Sequence, residues 1–239
     1  MKKYLAICVC LFVVGAVLGQ SRSKPRKQSR PAKQPPEVLE AYQVCQEFQR
    51  VLAENLDFDR AFEATFVKDP ARQREVAIAE GEHGEGDLSQ VDTAILVDIY
   101  KSQAQGLILM LPLMFAYGEP EAEVFPPSIQ AMFEEKPPND PAKLQTYSAQ
   151  IKRDVTELRA HVEKLAARNP GVAKNLEAYK KHLLTPLEMP NRIVESMTAY
   201  SKGRVLRLDE KYYQIDDCAV IREDGKMKLI GYIFLKMHF

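Results

Sequence analysis

The strongest constraint on the fold is an apolar side chain that returns at every seventh position over residues 144–165. The repeat comprises Leu144, Ile151, Leu158 and Leu165, with Val155 and Val162 interleaved. A seven-residue period places these side chains along one stripe of an α-helix. The pattern therefore predicts a long helix, which ends at the helix-breaking sequence Asn169-Pro170-Gly171.

A second, shorter apolar stripe follows this break. It comprises Val172, Leu176, Tyr179 and Leu183. Because a short turn separates the two stripes, we expect the helices to pack on each other as a helical hairpin. In the alternative interpretation, residues 144–165 form a homodimer with a second copy of the chain.

The region before the hairpin is also predicted to be helical. The expected helices span 37–55, 57–66, 70–80 and about 88–117. At the start of the last one, Asp87 stands three residues before Gln90, which is the spacing of an N-terminal capping box. In the second, Phe58, Phe62 and Phe66 share one helical face.

The C-terminal residues are richer in β-branched and aromatic side chains. A short helix is expected after Pro190, ending at Gly203. Strands are expected over 205–208, 212–222 and 226–236, and Asp224-Gly225 is a signal for a two-residue β-turn between the last two. The sequence therefore predicts an α+β fold that is predominantly α-helical: a multi-helix body with a long helical hairpin and a C-terminal three-stranded antiparallel β-meander.

The first residues have the pattern of a secretory signal peptide. Lys2 and Lys3 precede the apolar run Tyr4–Leu18, and small residues stand where cleavage after Gly19 requires them. The run is shorter than the ~20 residues that cross a membrane, so an uncleaved anchor is the less favoured interpretation. The sequence predicts an exported protein, periplasmic or secreted.

The predicted organisation is a signal peptide at 1–19, a disordered basic and proline-rich linker at 20–36, and a single α+β domain at 37–239 (helical over 37–202, β-meander over 203–239). The linker lacks the apolar surface that folding requires, and we expect a solubilising spacer, with contact to an anionic surface as the alternative. Eight of the 33 basic residues precede position 37, which leaves 25 against 33 acidic ones. The resulting charge near −8 argues against a nucleic-acid partner.

Residues 79–87, AEGEHGEGD, look more like a metal site than any other stretch of the chain. One histidine without a cysteine or a second histidine does not match a zinc site, and the carboxylates do not alternate as in a calcium loop. The three glycines are typical of a helix stop followed by a turn. We expect a hinge loop, and we assign no catalytic, cofactor-binding or metal-ligating residue.

Two cysteines, Cys45 and Cys218, remain once the leader is removed, and an exported chain permits one disulfide between them. Cys45 lies on the apolar stripe of the first helix. The Asp224-Gly225 turn is expected to set Gly231 opposite Cys218, leaving space for that helix. We therefore expect the first helix to pack on the sheet with a Cys45–Cys218 disulfide; two buried free thiols are the alternative.

Three functional interpretations remain. The favoured one is an exported, non-catalytic binding or envelope-associated protein that contacts an unknown protein or envelope component, without a cofactor and without a transmembrane span after signal removal. The second is a carrier or sensor of an apolar ligand or membrane through residues 106–117, which are otherwise a buried core helix. The third is an enzyme with a scattered site, for which Glu82, His83 and Glu85 are the first candidates.

Overall fold

The structure is a computed structural model. It describes residues 34–81, 87–117, 138, 140–188, 192–194, 197–199, 206–208, 211–216 and 218–232. The described residues, from Gln34 onward, belong to one compact unit.

Six helices lie in the described part of the chain. They are α1 (Pro36–Asn55), α2 (Phe58–Thr65), α3 (Pro70–Glu80), α4 (Thr93–Tyr117), α5 (Pro141–Arg168) and α6 (Pro170–Leu183). Six short strands follow: β1 (Arg192–Val194), β2 (Met197–Ala199), β3 (Leu206–Leu208), β4 (Tyr212–Ile215), β5 (Cys218–Glu223) and β6 (Lys226–Tyr232).

Three helices begin with an Asp or Asn cap followed by proline. The pairs are Asp69-Pro70, Asp140-Pro141 and Asn169-Pro170. Each cap side chain accepts a backbone N–H of the first turn, and proline stands where an N–H has no partner within the helix. Asn169 also ends α5, so one residue separates α5 from α6 where the sequence predicted a three-residue turn.

α4 begins at Thr93 rather than at Leu88, and the predicted capping role of Asp87 is wrong. The Asp87 carboxylate accepts the N–H of Ser89 at 2.9 Å, within a turn that precedes the helix. Asp92 caps the helix instead, accepting the N–H two residues further on at 2.8 Å.

A side chain from α3 accounts for the late start of α4. The Arg74 guanidinium donates to the carbonyl oxygens of Leu88 and Val91, the second at 2.6 Å. These carbonyls would be acceptors in the first turns of a helix beginning at Leu88. Because Arg74 of α3 binds these carbonyls, a turn is favoured over a helix at this point. The spacing of residues in the sequence contains no signal for this contact.

The strands form two antiparallel sheets. β1, β4, β5 and β6 are neighbours in that order, and β2 pairs with β3 separately. The predicted short helix after Pro190 is therefore wrong, because its residues form β1 and β2. Each pairs with a strand later in the chain, and that pairing supplies the backbone hydrogen bonds that a helix would have made locally.

The predicted meander corresponds to β4, β5 and β6, with changes at its edges. The expected strand 212–222 is interrupted at Asp216, whose φ of 48° reverses the chain between β4 and β5. Residues 206–208 pair with β2 instead of joining the meander. The predominantly helical α+β fold with an antiparallel sheet at the C-terminus is confirmed.

The β5–β6 hairpin turns at Asp224 and Gly225 as predicted, with φ of 48° and 77°. Positive φ at both positions is what a two-residue type I′ turn requires. The expected pairs Arg222 with Met227 and Val220 with Leu229 are present. The register then shifts between Ala219 and Val220.

This shift makes one predicted pairing wrong. Gly231 lies opposite Ala219, and Cys218 lies opposite Tyr232. A β-bulge places two residues of one strand against one of the other, so every later pair moves by one position. A helix does approach Gly231 closely, but it is α3: a β-carbon added there would lie 3.7 Å from Oε1 of Glu80.

α1 packs on β4, β5 and β6, as the apolar stripe of the first helix predicted, and α4 lies among α2, α3, α5 and α6. Leu144, Ile151 and Leu158 of the seven-residue repeat of α5 are buried, and Leu165 is partly buried. α5 contacts α4 more extensively than α6. The main partner of the apolar stripe is therefore α4, while α6 occupies a flank.

Some predicted features lie outside the described residues. These are the predicted signal peptide with most of the predicted linker, residues 1–33, and the loop residues 82–86 with Glu82, His83 and Glu85.

Candidate functional site

The junction between α1 and α2 is clamped by two side chains from other helices. Leu56 ends α1 in the left-handed conformation, with φ of 52°. Buried Gln105 of α4 accepts the N–H of Phe58 at 2.6 Å and donates to the Leu56 carbonyl at 2.8 Å. Arg159 of α5 donates to the carbonyls of Asn55 and Leu56 at 3.1 Å and 2.9 Å. Its positive charge also suits the negative end of the α1 dipole.

Beside this clamp, a groove of about 630 Å³ runs between α5 and α6. Its lining residues are Asn55, Leu56, Asp57 and Leu109 from the α1–α2 junction and α4; Arg159, Val162, Glu163 and Ala166 from α5; and Ala173, Leu176, Glu177 and Lys180 from α6. The volume falls within the range of about 300–1,000 Å³ typical of ligand sites. We call this the α5–α6 groove.

Each bank of the α5–α6 groove is one stripe of a helix. The α5 positions lie at relative spacings of zero, three, four and seven residues, and so do the α6 positions. Ala166 and Ala173 are the lining residues nearest the Asn169 turn, so the banks carry small side chains there. Leu56, Leu109 and Val162 are buried. The groove therefore has an apolar floor.

The rim of the groove carries both signs of charge, but most of its charges already have partners. Lys180 Nζ lies 2.9 Å from Oε1 of Glu177, and Arg159 is bound to the α1 carbonyls. Asp57 accepts the N–H of Arg60 at 3.1 Å as the cap of α2. Exposed Glu163 makes no ion pair or hydrogen bond with any described residue.

A second groove of about 400 Å³ lies between α1 and the end of α6. It is lined by Gln43, Gln46, Glu47, Gln49, Arg50, Leu183 and Leu184. Arg50 forms a two-point ion pair with Glu47. The hydrogen bond from Arg50 lowers the pKa of the Glu47 carboxyl despite partial burial. This groove is polar and lacks a continuous apolar floor.

Aromatic rings fill the core between α1, α2 and α4. Phe58 lies within 6.1 Å of the ring centres of Phe48, Phe66 and Tyr100. The Tyr100 hydroxyl is buried and has no hydrogen-bond partner among the described residues. Burial, and to a smaller extent the charge of Glu80, raises the pKa of Tyr100 far above its ordinary value of 10.0. The phenol therefore stays neutral, and the cluster serves as core.

The structure brings the two predicted cysteines together. Cys45 and Cys218 are both fully buried, their sulfur atoms lie at disulfide-bonding distance, and their Cα atoms are 6.1 Å apart. That Cα separation lies within the usual range for a disulfide. The pair links α1 to β5.

Metal sites and membrane-spanning helices are absent from the described residues. Within the described ranges, no three His, Cys, Asp or Glu side chains meet where they could hold a metal ion. Among the same residues, no helix is both long enough and apolar enough to cross a bilayer. Of residues 106–117, Leu109 reaches the α5–α6 groove. The candidates Glu82, His83 and Glu85 lie outside the described residues.

The sequence did not point to the α5–α6 groove. Its clearest signal was the spacing of 159, 162, 163 and 166, a stripe that only partly overlaps the buried seven-residue repeat. Whether such a stripe is covered depends on neighbouring helices, which periodicity does not specify. No family model, curated protein or solved structure matches the chain.

Proposed function

We propose that this chain is an exported, non-catalytic binding protein, and that it engages a protein or envelope component through the α5–α6 groove. The groove carries the proposal: its volume is that of a ligand site, and its apolar floor lies within a charged rim. An apolar floor supplies binding energy, and the polar rim orients the ligand.

The cysteine pair supports the location. A fully buried Cys45–Cys218 pair at bonding distance fits a compartment where disulfides persist. The signal-like pattern of residues 1–19 points to the same compartment. Export to the periplasm or cell exterior is thus part of the proposal.

A matched pair of tryptophan variants tests the proposal. Ala166 is half-buried and lines the groove, while its neighbour Ala167 is exposed and does not. Ala166→Trp should fill the groove, and Ala167→Trp adds the same ring to the outer face of α5. The full chain and both variants would be purified from the native compartment, and bound molecules would be quantified by mass spectrometry.

We expect one ligand or partner to be retained in near-stoichiometric amount by the parent chain and by Ala167→Trp, and to be lost from Ala166→Trp. Retention by both variants would show that binding occurs elsewhere. A copurified molecule that the parent chain converts to a product would favour the enzyme interpretation instead.

A carrier of an apolar ligand is the second candidate, because Leu109 of the apolar segment 106–117 forms part of the groove floor. In that case the molecule lost from Ala166→Trp is a lipid or another small apolar compound. The same experiment distinguishes the two candidates, since mass spectrometry reports the class of the molecule.

The basic segment 20–36 adds a separate, weaker proposal, which is contact with an anionic surface. Deleting residues 20–33, which contain all the cations of this segment and precede α1, should reduce adsorption of the protein to vesicles containing anionic lipid and leave the melting temperature unchanged. Equal adsorption with and without the segment would leave it the role of a spacer. A lower melting temperature would mean that the segment is part of the fold.

A further inference from the structure

We propose that the occupant of the α5–α6 groove is an amphipathic helix with basic flanks, contributed by a partner protein. This inference rests on the proposed function, because it identifies the chemistry of the molecule bound at that site. Three observations carry it: the shape of the banks, the apolar floor, and the charge on the rim that has no partner.

The shape of the groove is that of a seat for a helix. Each bank is a stripe spanning seven residues of an α-helix, about 10 Å long at 1.5 Å per residue. A third helix would lie along the channel between the two stripes, as ridges of one helix fit the grooves of its neighbours. Ala166 and Ala173 allow close approach at one end. Helix-in-groove recognition uses anchors at this spacing.

The floor of the groove would receive the apolar face of such a helix. Leu56, Leu109 and Val162 lie at the bottom with less than 4% of their surface exposed, and Leu176 is half-buried. A docked helix would cover Leu176 and the two alanines while facing residues that are already rigidly packed. Because these residues are already packed in the free chain, binding costs little conformational entropy of their side chains.

The charge of the rim selects the sign of the partner. Both cations are engaged, Arg159 with the α1 carbonyls and Lys180 with Glu177. Glu163 has no partner among the described residues, and the Glu177 side chain remains 72% exposed despite its ion pair. The excess is therefore negative. A helix with Lys or Arg beside its apolar face complements these carboxylates.

Synthetic peptides of about 18 residues, long enough to form a bound helix, provide the test. One has Leu on a single face and Lys elsewhere, one replaces every Lys by Glu, and one scrambles the Leu/Lys peptide so that no apolar face exists. Binding to the full chain would be measured by fluorescence anisotropy at physiological salt. We expect binding of the Leu/Lys helix alone.

Variants then locate the site. Ala166→Trp should weaken binding of the Leu/Lys peptide by at least about tenfold, and Ala167→Trp should have no effect. Glu163→Lys should weaken it by about fivefold, while Glu157→Lys, an equal charge change at another exposed position of α5, should not. Should Ala166→Trp fail to fold, Leu176→Gln tests the same surface at a half-buried position.

Several outcomes would overturn the inference. They are equal binding of the Leu/Lys and Leu/Glu helices, equal binding of the scrambled peptide, and equal weakening by Glu157→Lys and Glu163→Lys. A lipid lost from Ala166→Trp, or a dimer lost from it in light scattering, would identify a different occupant. The proposed function is tested separately with the native ligand. It fails if Ala166→Trp retains that ligand, or if the parent chain converts the copurified molecule to a product.

Discussion

The sheet side and the groove side of the helical body are attached by different kinds of contact. On the sheet side, Cys45 of α1 lies at bonding distance from Cys218 of β5. Glu40 of α1 holds Arg222 at 2.7 Å, and Glu223 of β5 accepts two backbone N–H groups of the α2–α3 link. On the groove side, α5 rests on α4 mainly through its apolar stripe, to which Lys152 adds an ion pair with Asp98 and Arg159 adds its hydrogen bonds to the end of α1.

The difference shows what each kind of contact determines. Polar contacts of fixed geometry, together with the cysteine pair at bonding distance, select one register of the sheet against the helices. Apolar burial stabilises the position of α5 but is non-directional, so it specifies which face of α5 is covered. The side of α5 next to α6 stays open. The sheet side, with its fixed polar contacts, thus supports the helices that form the open groove side.

The largest expected effect is on the groove side. Leu158→Asp places a charge at a fully buried position between α5 and α4 and should destabilise the protein by more than about 5 kcal/mol, because it loses apolar burial and leaves the carboxylate unpaired. Urea unfolding measures this loss. Leu184→Asp, at a position 56% exposed, should change stability little. A folded Leu158→Asp protein that merely changes from dimer to monomer would make the stripe an intermolecular contact.

On the sheet side, replacing both cysteines, Cys45→Ala with Cys218→Ala, should cost up to roughly 5 kcal/mol. The chain-entropy estimate reflects the separation of 173 residues between them. Urea unfolding of the parent and the double variant gives this difference. Intact mass after alkylation of unfolded, unreduced protein tests the bond directly, and two alkylated cysteines would exclude it.

A smaller loss is expected from Glu223→Gln. The carboxylate accepts the N–H groups of Lys68 and Asp69 at 2.8 Å and 3.0 Å, and the amide can accept only through one oxygen. We expect about 1 kcal/mol of destabilisation. Asp224→Asn is the control, since Asn also tolerates positive φ in the neighbouring turn. Equal losses of stability in the two variants would mean that the effect comes from the β5–β6 turn and not from the hydrogen bonds of Glu223.

The smallest expected effect is on the stability of the fold at acidic pH. The hydrogen bond from Arg222, aided by the N–H of Met227 and opposed by burial, lowers the pKa of Glu40 below its ordinary value of 4.5. Because the folded pKa is the lower one, this stabilisation is present above about pH 4.5 and is lost as the pH falls through the folded pKa. Glu40→Gln should flatten the stability profile there. If the pH dependence of stability is the same in Glu40→Gln as in the parent chain, the link between the Arg222–Glu40 hydrogen bond and acid stability is wrong.

Sequence reasoning predicted the elements whose determinants lie close together in the chain. The caps Asp69 and Asp140 act within the first turn of their helices, and Asp224-Gly225 turns the final hairpin as expected. The packing of α1 on the sheet through Cys45 also followed from one apolar stripe. In each case a local hydrogen bond, or the period of one element, carries the information.

The wrong or missed predictions concern segments whose structure depends on a partner distant in sequence. Residues 192–194 form β1 because they pair with β4, although the spacing of Ile193, Val194, Met197 and Tyr200 fits a helical period. α4 starts late because Arg74 of another helix takes its first carbonyls. The groove was missed for a related reason, since an open flank is defined by which helices fail to cover it.

The sequence by itself determined the starts of α3 and α5, most of the buried stripe of α5, the closing β-turn and the two cysteines that come together. The tertiary structure decided the register shift beside Cys218, the strand identity of residues 192–194 and 197–199, and the clamp of Gln105 and Arg159 on the end of α1. It also decided that the stripes of α5 and α6 face an open channel rather than a neighbour. Side-chain period and capping act within a few residues, whereas pairing, clamping and exposure depend on groups that meet only after the chain has folded.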